Sequence, residues 1–259
     1  MKPQALVLQA HGTNRDYDVA EALTVAGAEP HPVPLNDLRA GKQHFADYQM
    51  LVVPGGFSYA DALGAGKLLA LDLNSYFKEA ISAFVDSGKP VIGICNGFQA
   101  LVKAGILPAA SEHSSEATLT FNEQGNFECR WVHLSPVSQT CIWTKDLEDS
   151  IFCPVAHGEG NFQLSDTLFA NTLTTQDQIA LAYVYPNGSP ANGDYPANPN
   201  GSMLDVAGIC NPQGNVLGLM PHPENHIYPH QHPQWTRGVK GNSGLVLFEN
   251  GVRYAKDFA

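Results

Sequence analysis

Short apolar runs, rich in aliphatic and β-branched residues, punctuate the first hundred positions and alternate with stretches of helical spacing. Residues 5–9 and 49–53 read as buried strands, and residues 29–35 as a further extended segment. Asp16–Ala26 has the spacing of a helix, and residues 68–87 carry a 3.6-residue apolar period up to the strand-like run Val91–Ile94. Helical character returns over residues 98–103. Strand and helix alternating in this way predict an α/β fold on a mostly parallel sheet with both faces covered. Reactive groups of such sheets gather at the carboxyl ends of the strands.

The middle of the chain changes period. Residues 117–121, 127–132, 151–155 and 179–184 are short strand-like runs divided by turn residues, with little helix between them. They predict a mixed or antiparallel extension of the sheet. Residues 185–202, dense in Pro, Asn and Gly, read as a long loop. One more strand is expected over Val216–Leu219, then a His- and Pro-rich segment, 226–242, with no role that its composition assigns. A terminal helix is expected over residues 243–256. No internal repeat and no linker interrupts the pattern, so a single domain over residues 1–259 is expected.

Composition narrows the function. Hydrophobic residues make up 44% of the 259, as in a folded globular chain. The formal net charge is −11 with no cluster of Lys or Arg, which disfavours nucleic acid or an anionic membrane as partner. Five cysteines, an odd number without a Cys-x-x-Cys pair, show neither a zinc knuckle nor a disulfide framework. That usage fits a reducing compartment, and the residues after Met1 lack the long apolar stretch of a signal peptide. A cytoplasmic protein without a membrane span is the expectation.

The candidate chemistry begins where the run Val91–Ile94 ends. Cys95 stands between Gly93 and Gly97, ahead of the predicted helix. Gly-x-Cys-x-Gly between strand and helix is the thiol counterpart of the Gly-x-Ser-x-Gly nucleophile elbow, in which a tight turn pushes the nucleophile out at the sheet edge. A helix N-terminus also favours negative charge at that point. A buried cysteine beside two turn glycines would give the same local pattern. Further along, Pro221-His222-Pro223-Glu224 follows the predicted strand. An imidazole is the natural base for a thiol, and a carboxylate two residues on can hold its tautomer. Together the two segments compose Cys95…His222-x-Glu224, each at the end of a predicted strand.

Two other patterns come to nothing. Gly64-Ala65-Gly66-Lys67 lacks both the leading glycine and the following Ser or Thr of a phosphate loop, since Asp61 and Leu68 occupy those places. The histidines at 222, 226, 230 and 232 invite a metal, but Pro223, Pro229 and Pro233 disfavour a regular helix there and no His-Glu-x-x-His occurs. No metal is expected.

With these residues in view, the chain resembles the class I (triad) glutamine amidotransferases, and within them the glutaminase subunits of phosphoribosylformylglycinamidine synthases. The likeness is carried by Gly-Ile-Cys-Asn-Gly-Phe-Gln around Cys95 and by Met-Pro-His-Pro-Glu around His222. Residues 54–61, 129–132, 154–160, 197–202 and 207–211 extend it over nearly the whole chain. The resemblance implies a flavodoxin-like three-layer α/β fold with Cys95, His222 and Glu224 as the catalytic triad. It implies an oxyanion hole from the amides near Gly56 or Phe57 and of Asn96. Gln99, His157 and Glu159 become candidates for binding substrate, L-glutamine. No cofactor is implied in this chain, whereas ATP and Mg belong to a larger synthase subunit, and a small bridging subunit stays open. Ammonia would pass to that synthase for conversion of formylglycinamide ribonucleotide to formylglycinamidine ribonucleotide in purine biosynthesis.

Two rivals remain at this point. An intracellular cysteine peptidase or deglycase of the same fold usually places His directly after the nucleophile, where this chain has Asn96, and lacks the downstream His-Pro-Glu. A non-catalytic regulatory subunit would have no need of an intact Cys95, His222 and Glu224.

Overall fold

The computed structural model describes residues 1–108 and 116–259. The chain opens with β1 (Gln4–Gln9), α1 (Asp16–Ala26), β2 (Glu29–Pro34), α2 (Leu35–Arg39) and β3 (Met50–Val53). Next come α3 (Lys67–Tyr76), α4 (Lys78–Asp86), β4 (Val91–Ile94) and α5 (Asn96–Lys103). The middle carries β5 (Ala117–Thr120), β6 (Glu128–Pro136), β7 (Ile151–His157), β8 (Asn161–Leu164), α6 (Thr167–Thr175) and β9 (Ile179–Val184). β10 (Val206–Cys210), β11 (Val216–Leu219) and α7 (Leu245–Ala255) close the fold.

Nine strands form one sheet in the order β2-β1-β3-β4-β11-β10-β9-β6-β7. The pairings from β2 through β4 to β11 are parallel, and those from β11 outward to β7 antiparallel. The parallel half and its antiparallel extension are as the periodicity predicts. β3, β4 and β11 are buried at every position, which is why they read as unbroken apolar runs. The chain steps from β1 to β2 in one direction and from β3 to β4 in the other. Right-handed crossovers therefore send α1 and α4 to opposite faces, and the reversal between β1 and β3 is a topological switch point. α1 packs on α7, while α3 packs on α4 and α5.

Several elements differ from the sequence reading. The helical stretch 68–87 is broken at Phe77, which ends α3 and begins α4 with φ −129° and ψ 4°. Its ring turns inward onto Phe45, 5.5 Å between centroids, after the weak helix formers Asn74 and Ser75. β5 does not extend the main sheet but pairs with β8 in a separate two-stranded sheet. α6 lies where little helix was expected, because its threonines depress the helical signal. Asp166 caps it, accepting from the Phe169 amide at 2.8 Å, and Thr172 and Thr174 bond back to carbonyls four residues earlier. Finally, β10 is an inner strand, buried throughout.

Candidate functional site

Cys95 occupies the crossing from β4 into α5 with φ 50° and ψ −106°, a conformation that costs a non-glycine residue on the order of 1–3 kcal/mol. Its surroundings leave it no alternative. The Cys95 amide donates to the Leu219 carbonyl at 2.8 Å, continuing the ladder between β4 and β11. A Cβ on Gly97 would lie 1.9 Å from the Val53 carbonyl oxygen, and one on Gly93 would lie 2.5 Å from Leu101 Cδ1. The turn between β4 and α5 thus packs so closely on β3 that only glycine fits at 97, while at 93 a side chain would have to displace Leu101 of α5.

His222 follows β11, the parallel neighbour of β4, and so arrives at the same sheet edge. Its backbone N–H donates to the Pro154 carbonyl at 2.8 Å. A Cβ on Gly55 would lie 2.8 Å from His222 Cε1 and 3.5 Å from Cys95 Cβ, so Gly55 is what lets thiol and imidazole approach each other. His222 Nδ1 stands 2.6 Å from Glu224 Oε1, and both side chains are buried. Burial opposes the imidazolium, but the Glu224 carboxylate and the Cys95 sulfur overcome it and lift the His222 pKa to about 10. With Nδ1 taken up by the carboxylate, Nε2 is the nitrogen left to exchange protons with a group bound over Cys95.

A cavity of about 150 Å³ opens beside the sulfur, lined by Cys95, Gly56, Phe57, Gln99, His157 and Glu159 among others. Larger cavities of about 290 and 580 Å³ lie near Lys78 and Tyr76 and contain none of these groups. Gln99, on the first turns of α5, is buried; its amide nitrogen donates to the Glu159 carbonyl at 2.7 Å and its oxygen accepts from Asn96 Nδ2 at 3.1 Å. Asn96 also donates to Asp61 Oδ1 at 3.0 Å and accepts from the Ser58 amide at 3.1 Å. Its own backbone N–H lies in the first turn of α5, with no carbonyl four residues back to take it. Glu159 accepts from the Ala65 amide at 3.2 Å and faces Lys103 Nζ at 3.6 Å.

His157 is buried with Nδ1 3.1 Å from Asn122 Oδ1. Desolvation, with a further push from His222, drives its pKa down to about 3, so it is a neutral imidazole. The oxyanion candidates differ from one another. Gly56 has φ 135°, and a Cβ there would lie 2.7 Å from the Asn14 amide nitrogen, so no other residue fits. The Phe57 amide is already engaged in this conformation, donating to the Gly12 carbonyl at 3.0 Å.

Sequence reasoning missed three contributors. Asp61 lines the cavity, with its carboxyl raised by burial and by Glu159. Asn122 holds His157, the Gly160 amide and the His157 carbonyl together, and nothing in its own neighbourhood marks it. Cys153 on β7 is buried beside Glu224, its thiol pushed well up by burial and by that carboxylate. The histidines beyond the turn have other partners. His226 bonds the Phe152 carbonyl, His230 stacks on Tyr228, and no group of three or more His, Cys, Asp or Glu among the described residues could hold a metal. Among the described residues no helix is long and apolar enough to cross a membrane.

The chain and its fold are similar to known proteins. The CobB/CobQ-like glutamine amidotransferase domain matches residues 2–255. Phosphoribosylformylglycinamidine synthase subunit PurQ of Treponema denticola is 52% identical, over 98% of this chain and 99% of its own. The PurQ subunit of Dehalococcoides mccartyi is 42% identical, with 98% of each chain covered. A chain in the solved structure of PurLQS from Thermotoga maritima superposes with a TM-score of 0.75 at 31% identity, covering 98% of this chain and 99% of that one. Matches of this identity and span place the chain with the PurQ subunits and not with the intracellular cysteine peptidases. The chain is a member of the CobB/CobQ-like glutamine amidotransferases and, among them, of the PurQ subunits of phosphoribosylformylglycinamidine synthase.

Proposed function

We propose that Cys95, His222 and Glu224 hydrolyse glutamine to glutamate and ammonia for a synthase partner. The observation that carries this reading is the buried His222–Glu224 pair, 2.6 Å apart, beside a cysteine on a strained elbow. The Cys95 thiol passes its proton to His222 as Sγ attacks the side-chain carbonyl carbon of glutamine, and the carbonyl electrons move onto oxygen. The Asn96 amide is the first donor for that charge, and the Phe57 amide becomes the second once it leaves the Gly12 carbonyl, each such donor being worth about 3 kcal/mol in the transition state. His222 gives its proton to the departing nitrogen, ammonia leaves, and a glutamyl thioester remains on Cys95. Neutral His222 then takes a proton from water, hydroxide adds to the thioester, and glutamate departs as the thiol is restored. Glu224 holds the imidazole throughout, while Gln99, His157 and Glu159 shape the cavity that receives the amino-acid end.

Ammonia passes to a synthase subunit that uses ATP and Mg to convert formylglycinamide ribonucleotide to formylglycinamidine ribonucleotide. The PurLQS neighbour supports a partner of that kind. Cys95→Ser is expected to abolish glutamine-dependent synthesis by the complex and to leave ammonium-dependent synthesis within about twofold of wild type. Glutamine turnover surviving in the mutant would remove Cys95 from the nucleophile's role.

A further inference from the structure

Glu224 sits on a single 3₁₀ turn, Pro223–Asn225, and its carboxylate is held by little of its own. One oxygen meets His222; the other is buried with no hydrogen-bond partner among the described residues. The position of the carboxylate is therefore set by the backbone beneath it. That backbone is fastened to β7 at both ends. Before the turn, the His222 amide donates to the Pro154 carbonyl at 2.8 Å. After it, His226 Nδ1 lies 2.5 Å from the Phe152 carbonyl, and since a carbonyl can only accept, Nδ1 carries the proton. Between these anchors lies Cys153, beside Glu224.

The second anchor is reinforced from α7. Ser243 Oγ donates to the Phe152 carbonyl at 3.1 Å and accepts from the Phe152 amide at 2.9 Å. The Gly244 amide donates to the His226 carbonyl at 3.0 Å. A Cβ on Gly244 would lie 2.0 Å from the Pro223 carbonyl oxygen, so the start of α7 presses directly on the Glu224 turn. His226 is itself buried, edge-on to Trp131 at 5.1 Å and 5.5 Å from the His232 ring.

We infer that His226 is a positioning residue: its donation from Nδ1 to the Phe152 carbonyl pins the Pro223–Asn225 turn to β7 and so fixes Glu224 against His222. The inference rests on the triad reading. A misplacement of about 1 Å in such a support can cost roughly 100-fold in rate, so the effect belongs in turnover and not in substrate affinity.

The test compares His226→Asn with His226→Gln, because the Asn amide nitrogen can take the place of Nδ1 and the longer Gln places its nitrogen elsewhere. Glutamine turnover is measured in the complex with the synthase. Alkylation of Cys95 by iodoacetamide at pH 7 is followed in the full chain by peptide mass spectrometry, with His222→Ala as reference. His226→Gln is expected to lose about 10- to 100-fold in kcat with KM within about threefold, and to slow Cys95 alkylation about tenfold. His226→Asn is expected to stay within about threefold of wild type on every measure. Should Gln and Asn behave alike, or should the loss fall on KM, His226 does not position Glu224. An unfolded His226→Gln leaves Asn to decide: folded and fully active supports the inference, folded and impaired overturns it. If His222→Ala itself leaves turnover and Cys95 alkylation unchanged, the triad reading fails; if only the His226 variants do, this inference alone fails.

Discussion

Two buried imidazoles, His157 and His222, lie close enough to influence each other and are pushed in opposite directions. His222, paired with Glu224, is lifted to about 10, while His157, without a carboxylate, is lowered to about 3 by burial and by its neighbour. Their effects on stability have opposite signs. The favourable contribution of His222 is complete below the unfolded value near 6.5 and is lost as pH rises toward 10. For His157 the unfolded chain binds the extra proton between about 3 and 6.5, so stability falls as pH drops through that window. His157→Asn is therefore expected to flatten the decline of the thermal midpoint between pH 6.5 and 4. A slope equal to that of wild type would mean that other groups govern acid unfolding.

At the scale of elements, the elbow is a contact between β3, β4 and α5 more than a local turn. Gly97 abuts the backbone of Val53, which cannot retreat without breaking the sheet, whereas the nearest obstacle at Gly93 is a movable Leu101 methyl. Gly97→Ala is expected to cost roughly 3 kcal/mol or more, and Gly93→Ala about 1–3 kcal/mol. Urea unfolding midpoints of the two variants check the order, and equal losses would contradict it. The same elements show what the sequence can and cannot disclose. β3, β4 and β11 announce themselves because a strand buried on both faces must be apolar throughout, and Gly-x-Cys-x-Gly is forced by a steric requirement that few other turns impose. The break at Phe77 and the helix α6 were hidden, since one depends on where a single ring packs and the other on a cap outweighing poor threonine propensity. β8 and Asn122 were hidden for a different reason. Their partners, β5 and His157, lie far along the chain, and no local pattern encodes such a pairing.

For the whole molecule, readiness of the site turns on the loop at the switch point between β1 and β3. With the Phe57 amide bonded to Gly12, that donor cannot face an oxyanion until the Gly55–Gly56 backbone moves. Purified alone, the chain is expected to release glutamate slowly, and to speed up at least about tenfold when the synthase and its nucleotide ligands are added. Full activity of the lone chain would sink this partner-gated account. The order of strands has a different outcome, one that concerns how the protein comes into being. β4, which carries the nucleophile, lies between β3 and β11, and Val91 pairs with Val216. During synthesis the first four strands leave the ribosome well before the strand that covers β4. Until then an entirely apolar edge stands open, the kind of edge that recruits other chains. Cys95 and His222 cannot meet before that edge is closed, so a nascent chain has no glutaminase site to misuse, and closing the sheet and completing the site are one folding event.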